Sequence, residues 1–291
     1  MKSVLNFSML VMVALTVGAP VRAADTASYA LDAEVKLQTD IRNRGISDSL
    51  RGPGARLTAQ VAHESGIVGY LEFATVSKKQ FLSGNGYSAA LGLGYRFGDP
   101  DAWHFGVGAA TELFPGASFE APHAIDMEAG VPADVRRTKF DSRFAVLEAG
   151  YGALDARVLY VTSKSYRGID TGGICGTLIQ LNPDPTVGLA CFARGDRGSR
   201  GTVLTDVNYK LALNPSTSLN VHAGYQRVPN FREANFTDWS VGVVHKHWGM
   251  EFTAEWLATH TRARELYLVQ DGDRLRATDN AILVASVSRK F

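Results

Sequence analysis

Several things are scarce in this chain of 291 residues. After the N-terminus no apolar run is long enough for a spanning helix, which needs about 20 residues, so a helical membrane bundle is excluded. Charge of one sign is not in excess: 30 Lys and Arg stand against 29 Asp and Glu, a formal net charge of +1, without the basic surplus that nucleic-acid binding usually requires. The sequence has no phosphate loop, Walker motif, dinucleotide fingerprint or CxxC pair, so it shows no cofactor-binding motif, and no cofactor is expected. Cysteine is limited to Cys175 and Cys191, both in a long polar, Gly-rich stretch.

The N-terminus does carry a pattern. Lys2, the apolar stretch 4–17 and the short residues Val21-Arg22-Ala23 read as a signal peptide over residues 1–23, cleaved before Ala24, with an N-terminal anchor as the alternative. In an exported chain, Cys175 and Cys191 are expected to form a disulfide, worth about 3 kcal/mol for a loop of that size.

Beyond that segment the dominant signal is period two. In ALDAEVKLQTDIRNRGIS, residues 30–47, Leu31, Ala33, Val35, Leu37 and Ile41 share one parity and Asp32, Glu34, Lys36, Asp40 and Arg42 the other. A strand alternates its side chains between two faces, so this is a strand with one apolar and one charged face. Similar alternation recurs at 55–64, 67–77, 87–97, 103–113, 143–151, 156–165, 202–213, 218–228, 237–247, 250–259 and 280–291, twelve strands in all. The weakest is 143–151, where Phe144 and Val146 share a parity with Glu148.

The connections alternate strictly between short and long. HESG, GDPDA, GALD, NPSTS and KHWG are tight-turn sequences, whereas 43–54, 77–86, 115–141, 166–200, 228–236 and 260–279 are longer. A soluble sandwich has little reason to gather all its long loops at one end; an up-and-down barrel in an outer membrane does so, with an even strand number and short periplasmic turns. The predicted fold class is therefore all-β, a transmembrane antiparallel barrel of about 12 strands, as a single domain over residues 24–291. A secreted sandwich or lipocalin-like barrel with its faces reversed is the alternative. The predicted location is the cell outer membrane, with lipid and lipopolysaccharide around the wall, and Tyr87, Trp103, Tyr151, Tyr225, Trp239 and Trp248 suit its interfacial girdles.

Three motifs carry a family likeness: TDIRNRGIS at the end of the first strand, VAHESGIVGYLEFATVS across the first hairpin, and FTDWSVGV together with the closing VASVSRKF. They resemble the TorF family of porin-like outer-membrane proteins. Asp40, Arg44, Gly45, Ile46 and Ser47 match that family's pattern after strand one, while Ile41 and Asn43 replace its aromatics. The resemblance implies a barrel and a location, and names no substrate. The closing strand is also similar to the C-terminal signature read by the barrel assembly machinery, with Phe291 as its terminal aromatic and Arg289 where an apolar residue is more usual.

On this parity the lumen receives Lys36, Arg42, Arg56, Arg96, Arg157, Lys210 and Lys246, with Asp32, Glu34, Asp40, Glu72, Glu112, Glu148, Asp206, Glu251 and Glu255. The two signs nearly cancel, which predicts a hydrated interior cross-linked by ion pairs and a weakly selective pore for a small hydrophilic solute whose identity the sequence does not give. Twelve strands leave a narrow bore, and inward folding of the two longest loops would narrow it further. Other readings are an outer-membrane enzyme or a non-conducting barrel that binds a partner. For catalysis, His63 and Ser65 share a strand parity, but HES reads first as a hairpin turn. His245 and His247 lack a third ligand for zinc, so no metal is expected. Arg42 and Arg44 are expected to snorkel or pair at the external rim.

Overall fold

The period-two segments become twelve antiparallel strands hydrogen-bonded edge to edge into a closed barrel. The computed structural model describes residues 28–99, 102–126 and 128–291, so the expected signal peptide lies outside the described residues. The strands are β1 (Tyr29–Gln38), β2 (Gly54–His63), β3 (Ile67–Thr75), β4 (Tyr87–Gly98), β5 (Trp103–Leu113), β6 (Ser142–Tyr151), β7 (Leu154–Val161), β8 (Val203–Asn214), β9 (Thr217–Arg227), β10 (Phe236–His247), β11 (Met250–Thr261) and β12 (Ile282–Lys290). Each pairs with its neighbours in sequence, and β12 closes on β1 with Glu34 opposite Lys290 and Leu37 opposite Val287. Closure leaves no free strand edge, which in a membrane would be an unpaired row of backbone groups.

The apolar parity points outward. Leu31 and Leu93 are 65% and 67% exposed, and Leu37, Phe105, Val107, Leu147, Val243 and Trp256 follow the same pattern. This is the reverse of a soluble barrel, whose interior would hold them. Phe291 is also exposed; its backbone N–H donates to the carbonyl of Ala33 at 2.9 Å, and the Arg289 guanidinium lies over its ring at 5.4 Å.

The long connections at one end fold into a crown. Residues 115–141 form a hairpin of Ser118–Asp126 with Val131–Lys139, and residues 268–277 a smaller one. Residues 162–202 contain two helices, α1 (Thr171–Leu181) and α2 (Pro185–Phe192), each started by an aspartate cap: Asp170 accepts from the N–H of Gly173 and Asp184 from that of Thr186. The expected disulfide joins them, Cys175 to Cys191, within an apolar cluster of Ile174, Leu178, Phe192, Val228, Phe231 and Ala234.

One expectation fails at the end of β1. Ile41, expected on the outer face, is fully buried, Asp40 lies beyond the end of β1, and Arg42 belongs to a two-residue strand, Arg42–Asn43, that pairs with Ile46–Ser47 and not with the barrel wall. The strand stops at Gln38 because Asp40 ties the chain into a knot: its carboxylate accepts from Ser47 Oγ (2.6 Å), Ser49 Oγ (2.9 Å) and Arg42 Nε (2.8 Å). The loop 39–53 then turns inward instead of rising from the rim.

Candidate functional site

Among the described residues, a smaller and a larger cavity open inside the barrel. The smaller, about 310 Å³, lies toward the short-turn end among Glu34, Lys36, Lys210, Glu251, Glu255 and Lys290. The larger, about 600 Å³, is lined by most of the other charged residues expected in the lumen: Asp40, Arg42, Arg56, Glu72, Arg96, Glu112, Glu148, Arg157 and Asp206. Asp32 shares their inward parity but is exposed near the start of β1 and lines neither cavity.

Opposite signs are interleaved along the wall. Lys36 lies 3.6 Å from Glu34, Arg56 3.7 Å from Glu72, and Arg96 3.1 Å from Glu148, while Glu251 takes both Lys246 and Lys290 at 3.7 Å. The larger cavity has six cationic residues (Lys36, Arg42, Arg44, Arg56, Arg96, Arg157) and seven anionic ones (Asp40, Glu72, Glu112, Glu148, Asp206, Asp238, Glu255); the smaller has three of each. Such a lining stays wet yet imposes no strong sign on a permeant.

The inward loop crosses this space. Arg44, expected to snorkel or pair at the external rim, does pair, but across the space on the opposite wall: it donates to the Asp206 carboxylate, to the Thr205 carbonyl at 2.8 Å and to the Tyr225 carbonyl at 3.0 Å. Arg42 donates to the carbonyl of Gly45, and its own carbonyl accepts from Arg56 Nη2 at 3.1 Å. Gly45, at φ 76°, sits so close to the wall that a Cβ there would collide with Thr259. The obstruction thus comes from the first loop; the two longest loops build the crown, from which Tyr166 lines the larger cavity, Ile169 packs beside it and Arg167 reaches Asp48 and Glu112.

The lumen is not uniformly polar either. Phe144, Val146, Leu159 and Leu204 point inward on β6, β7 and β8, against Tyr166. This explains the poor alternation of β6: its apolar inward residues are covered by the loop instead of facing water.

Arg167 fastens these parts together and was missed in the sequence, where nothing in its Gly-rich surroundings marks it. Its guanidinium lies 2.5 Å from Asp48 on the first loop and 3.2 Å from Glu112 on β5, and stands over the rings of Phe81 and Phe114. Burial works against its charge, but Asp48 and Glu112 outweigh burial and hold it above the ordinary arginine range. Burial also pushes the Asp48 carboxyl up, with Arg167 the main opposing influence. In the crown, buried His123 bonds Asp196 at 2.7 Å and holds that carboxyl below its usual range.

The expected alternatives to a pore look ordinary. His63 Nδ1 lies 2.7 Å from Ser65 Oγ in an exposed hairpin turn, with the Tyr29 ring as its other neighbour. His245 bonds Thr217 at 3.0 Å, and His247 packs on Trp248. Among the described residues no group of three or more His, Cys, Asp or Glu is arranged to hold a metal.

The family pattern described as a bacterial protein of unknown function (Gcw_chp) matches residues 22–291. No curated protein matches. Among solved structures, the chain is similar to the KdgM porin in complex with disordered oligogalacturonate (8% identity, 90% of this chain and 98% of that one, TM-score 0.44). It is also similar to an outer membrane channel from Pseudomonas putida F1 (10% identity, 94% and 100%, TM-score 0.41) and to a Pseudomonas aeruginosa FadL homologue (11% identity, 91% and 90%, TM-score 0.41). The likeness to the TorF family remains one of short motifs.

Proposed function

The chain belongs to the Gcw_chp family, bacterial proteins of unknown function, and since membership hands down no activity, we propose one from the geometry: an outer-membrane channel for passive diffusion of small hydrophilic solutes. The observation that carries this reading is the wall itself. A closed twelve-stranded barrel exposes an apolar outer face and encloses ion-paired, water-compatible cavities of about 310 and 600 Å³. An apolar exterior of this extent suits acyl chains and lipopolysaccharide, while the charged interior suits hydrated solutes. Passage then depends on how far loop 39–53 moves from the bore, and catalysis has no part in this reading.

Reconstitution of the purified protein in planar bilayers is the test. Stepwise conductance is expected, with weak preference between cations and anions because the cavity charges balance. Glu34→Lys, in the smaller cavity, should move that preference toward anions. A silent bilayer from correctly folded protein, or an unchanged preference in the variant, would overturn the proposal.

A further inference from the structure

The seat that holds Arg44 is more specific than a plug needs. Asp206 on β8, with a side chain 6% exposed, supplies a carboxylate, and the paired residues Thr205 and Tyr225 on β8 and β9 supply two carbonyls. The flanks remain rich in acceptors. Asp238 lines the same cavity with a side chain 2% exposed; its Oδ1 lies 2.8 Å from His222, and its Oδ2 has no hydrogen-bond partner. Arg157 and His222 approach Asp206 only to 3.9 Å.

Arg44 itself fits this seat imperfectly. Its backbone lies at φ 52°, a left-handed conformation that favours glycine, and its buried Nε–H finds no acceptor. A planar cation free of the loop could turn to engage its donors without that constraint.

We propose that the Asp206, Thr205 and Tyr225 seat is a binding site for the guanidinium or primary ammonium group of an organic cation, with Arg44 as an internal stand-in that such a solute displaces. The inference rests on the channel reading for its physiological meaning, but not for the binding itself. Displacement frees the tip of loop 39–53 and clears the bore, so a cationic solute opens its own way. It also uncovers Asp206 beside Asp238, which makes the cleared passage more attractive to cations than the plugged one.

The test uses the refolded full chain. Arg44→Gly removes the stand-in and suits the left-handed backbone; Arg44→Ala serves as the second variant. Methylguanidinium chloride is titrated against sodium chloride at matched ionic strength, with the unfolding midpoint as readout. At tenfold excess over the dissociation constant, methylguanidinium is expected to raise the midpoint of both variants by about 3 °C. The wild type, its seat occupied, should show a weaker effect, and adding Asp206→Asn to either variant should abolish it. Glutamate should do nothing. In bilayers the Arg44→Gly currents should exceed wild type and fall when methylguanidinium is added. A midpoint shift with silent bilayers would support the seat and sink the channel reading. Conductance without any methylguanidinium response, or an equal response to sodium, would overturn the seat while leaving the channel standing.

Discussion

Arg167→Met is the most discriminating perturbation of the way the loops are held. Methionine keeps an apolar stem against Phe81 and Phe114 but removes the cation between Asp48 and Glu112. The three side chains are only 12%, 5% and 14% exposed, so the change leaves two buried carboxylates uncompensated. Breaking a buried pair from one side typically costs about 3–5 kcal/mol. Because the barrel ladder is untouched, the loss should fall on the loops, as local opening and not global unfolding. At 1.4 kcal/mol per factor of ten, even 3 kcal/mol raises the open population roughly 100-fold. Limited proteolysis of the folded protein reads this directly when opening is fast relative to cleavage. The effect has a pH signature. Burial already raises the folded Asp48 pKa, and removing Arg167 raises it further. In the window above the unfolded value of about 3.9 the folded state then binds more protons than the unfolded one, so stability falls as pH rises. The defect should therefore ease from about pH 8 to about pH 5, and Asp48→Asn should partly rescue the variant at the higher pH. Wild-type cleavage rates, or a defect that deepens on acidification, would refute this account of Arg167.

Two further perturbations separate the crown from the wall. Reducing Cys175–Cys191, or replacing both with serine, should cost the α1–α2 segment about 3 kcal/mol and speed its cleavage, with the strand content seen by circular dichroism unchanged. Leu93→Arg, on the outer face of β4, should destabilise a bilayer-embedded barrel by about 2–4 kcal/mol in denaturant titrations, and a neutral result would contradict an outer face set in lipid.

The wall was legible because its information is local. Alternation in segments such as 30–38 and 203–213 needs only neighbouring residues to declare a strand, and tight turns are written in Gly, Pro, Asn and Asp, so strand number, loop alternation and the inward parity of Glu34, Arg96 or Glu255 follow without long-range knowledge. The loop 39–53 was not legible for the same reason. Thr39 to Arg42 continue the parity of β1, and nothing nearby says that Asp40 will bind Ser47 and Ser49 or that Arg44 will meet a carboxylate 162 residues away. Its path is decided by partners that folding brings together.

One trace of that loop structure is visible in the wall all the same. An inward apolar residue in a wet lumen is unfavourable unless something covers it, so Phe144 and Val146 on the charged parity of β6 require an inner lid. Leu159 and Leu204 repeat the violation on β7 and β8, and all four lie around Tyr166, next in the chain to the residue that grips Asp48. Neighbouring strands that break the same parity at the same height therefore mark where a loop rests inside a barrel. The intact charged parity of Glu34, Lys36, Lys210 and Glu251 marks where water remains, so the two kinds of residue together trace the course of the bore.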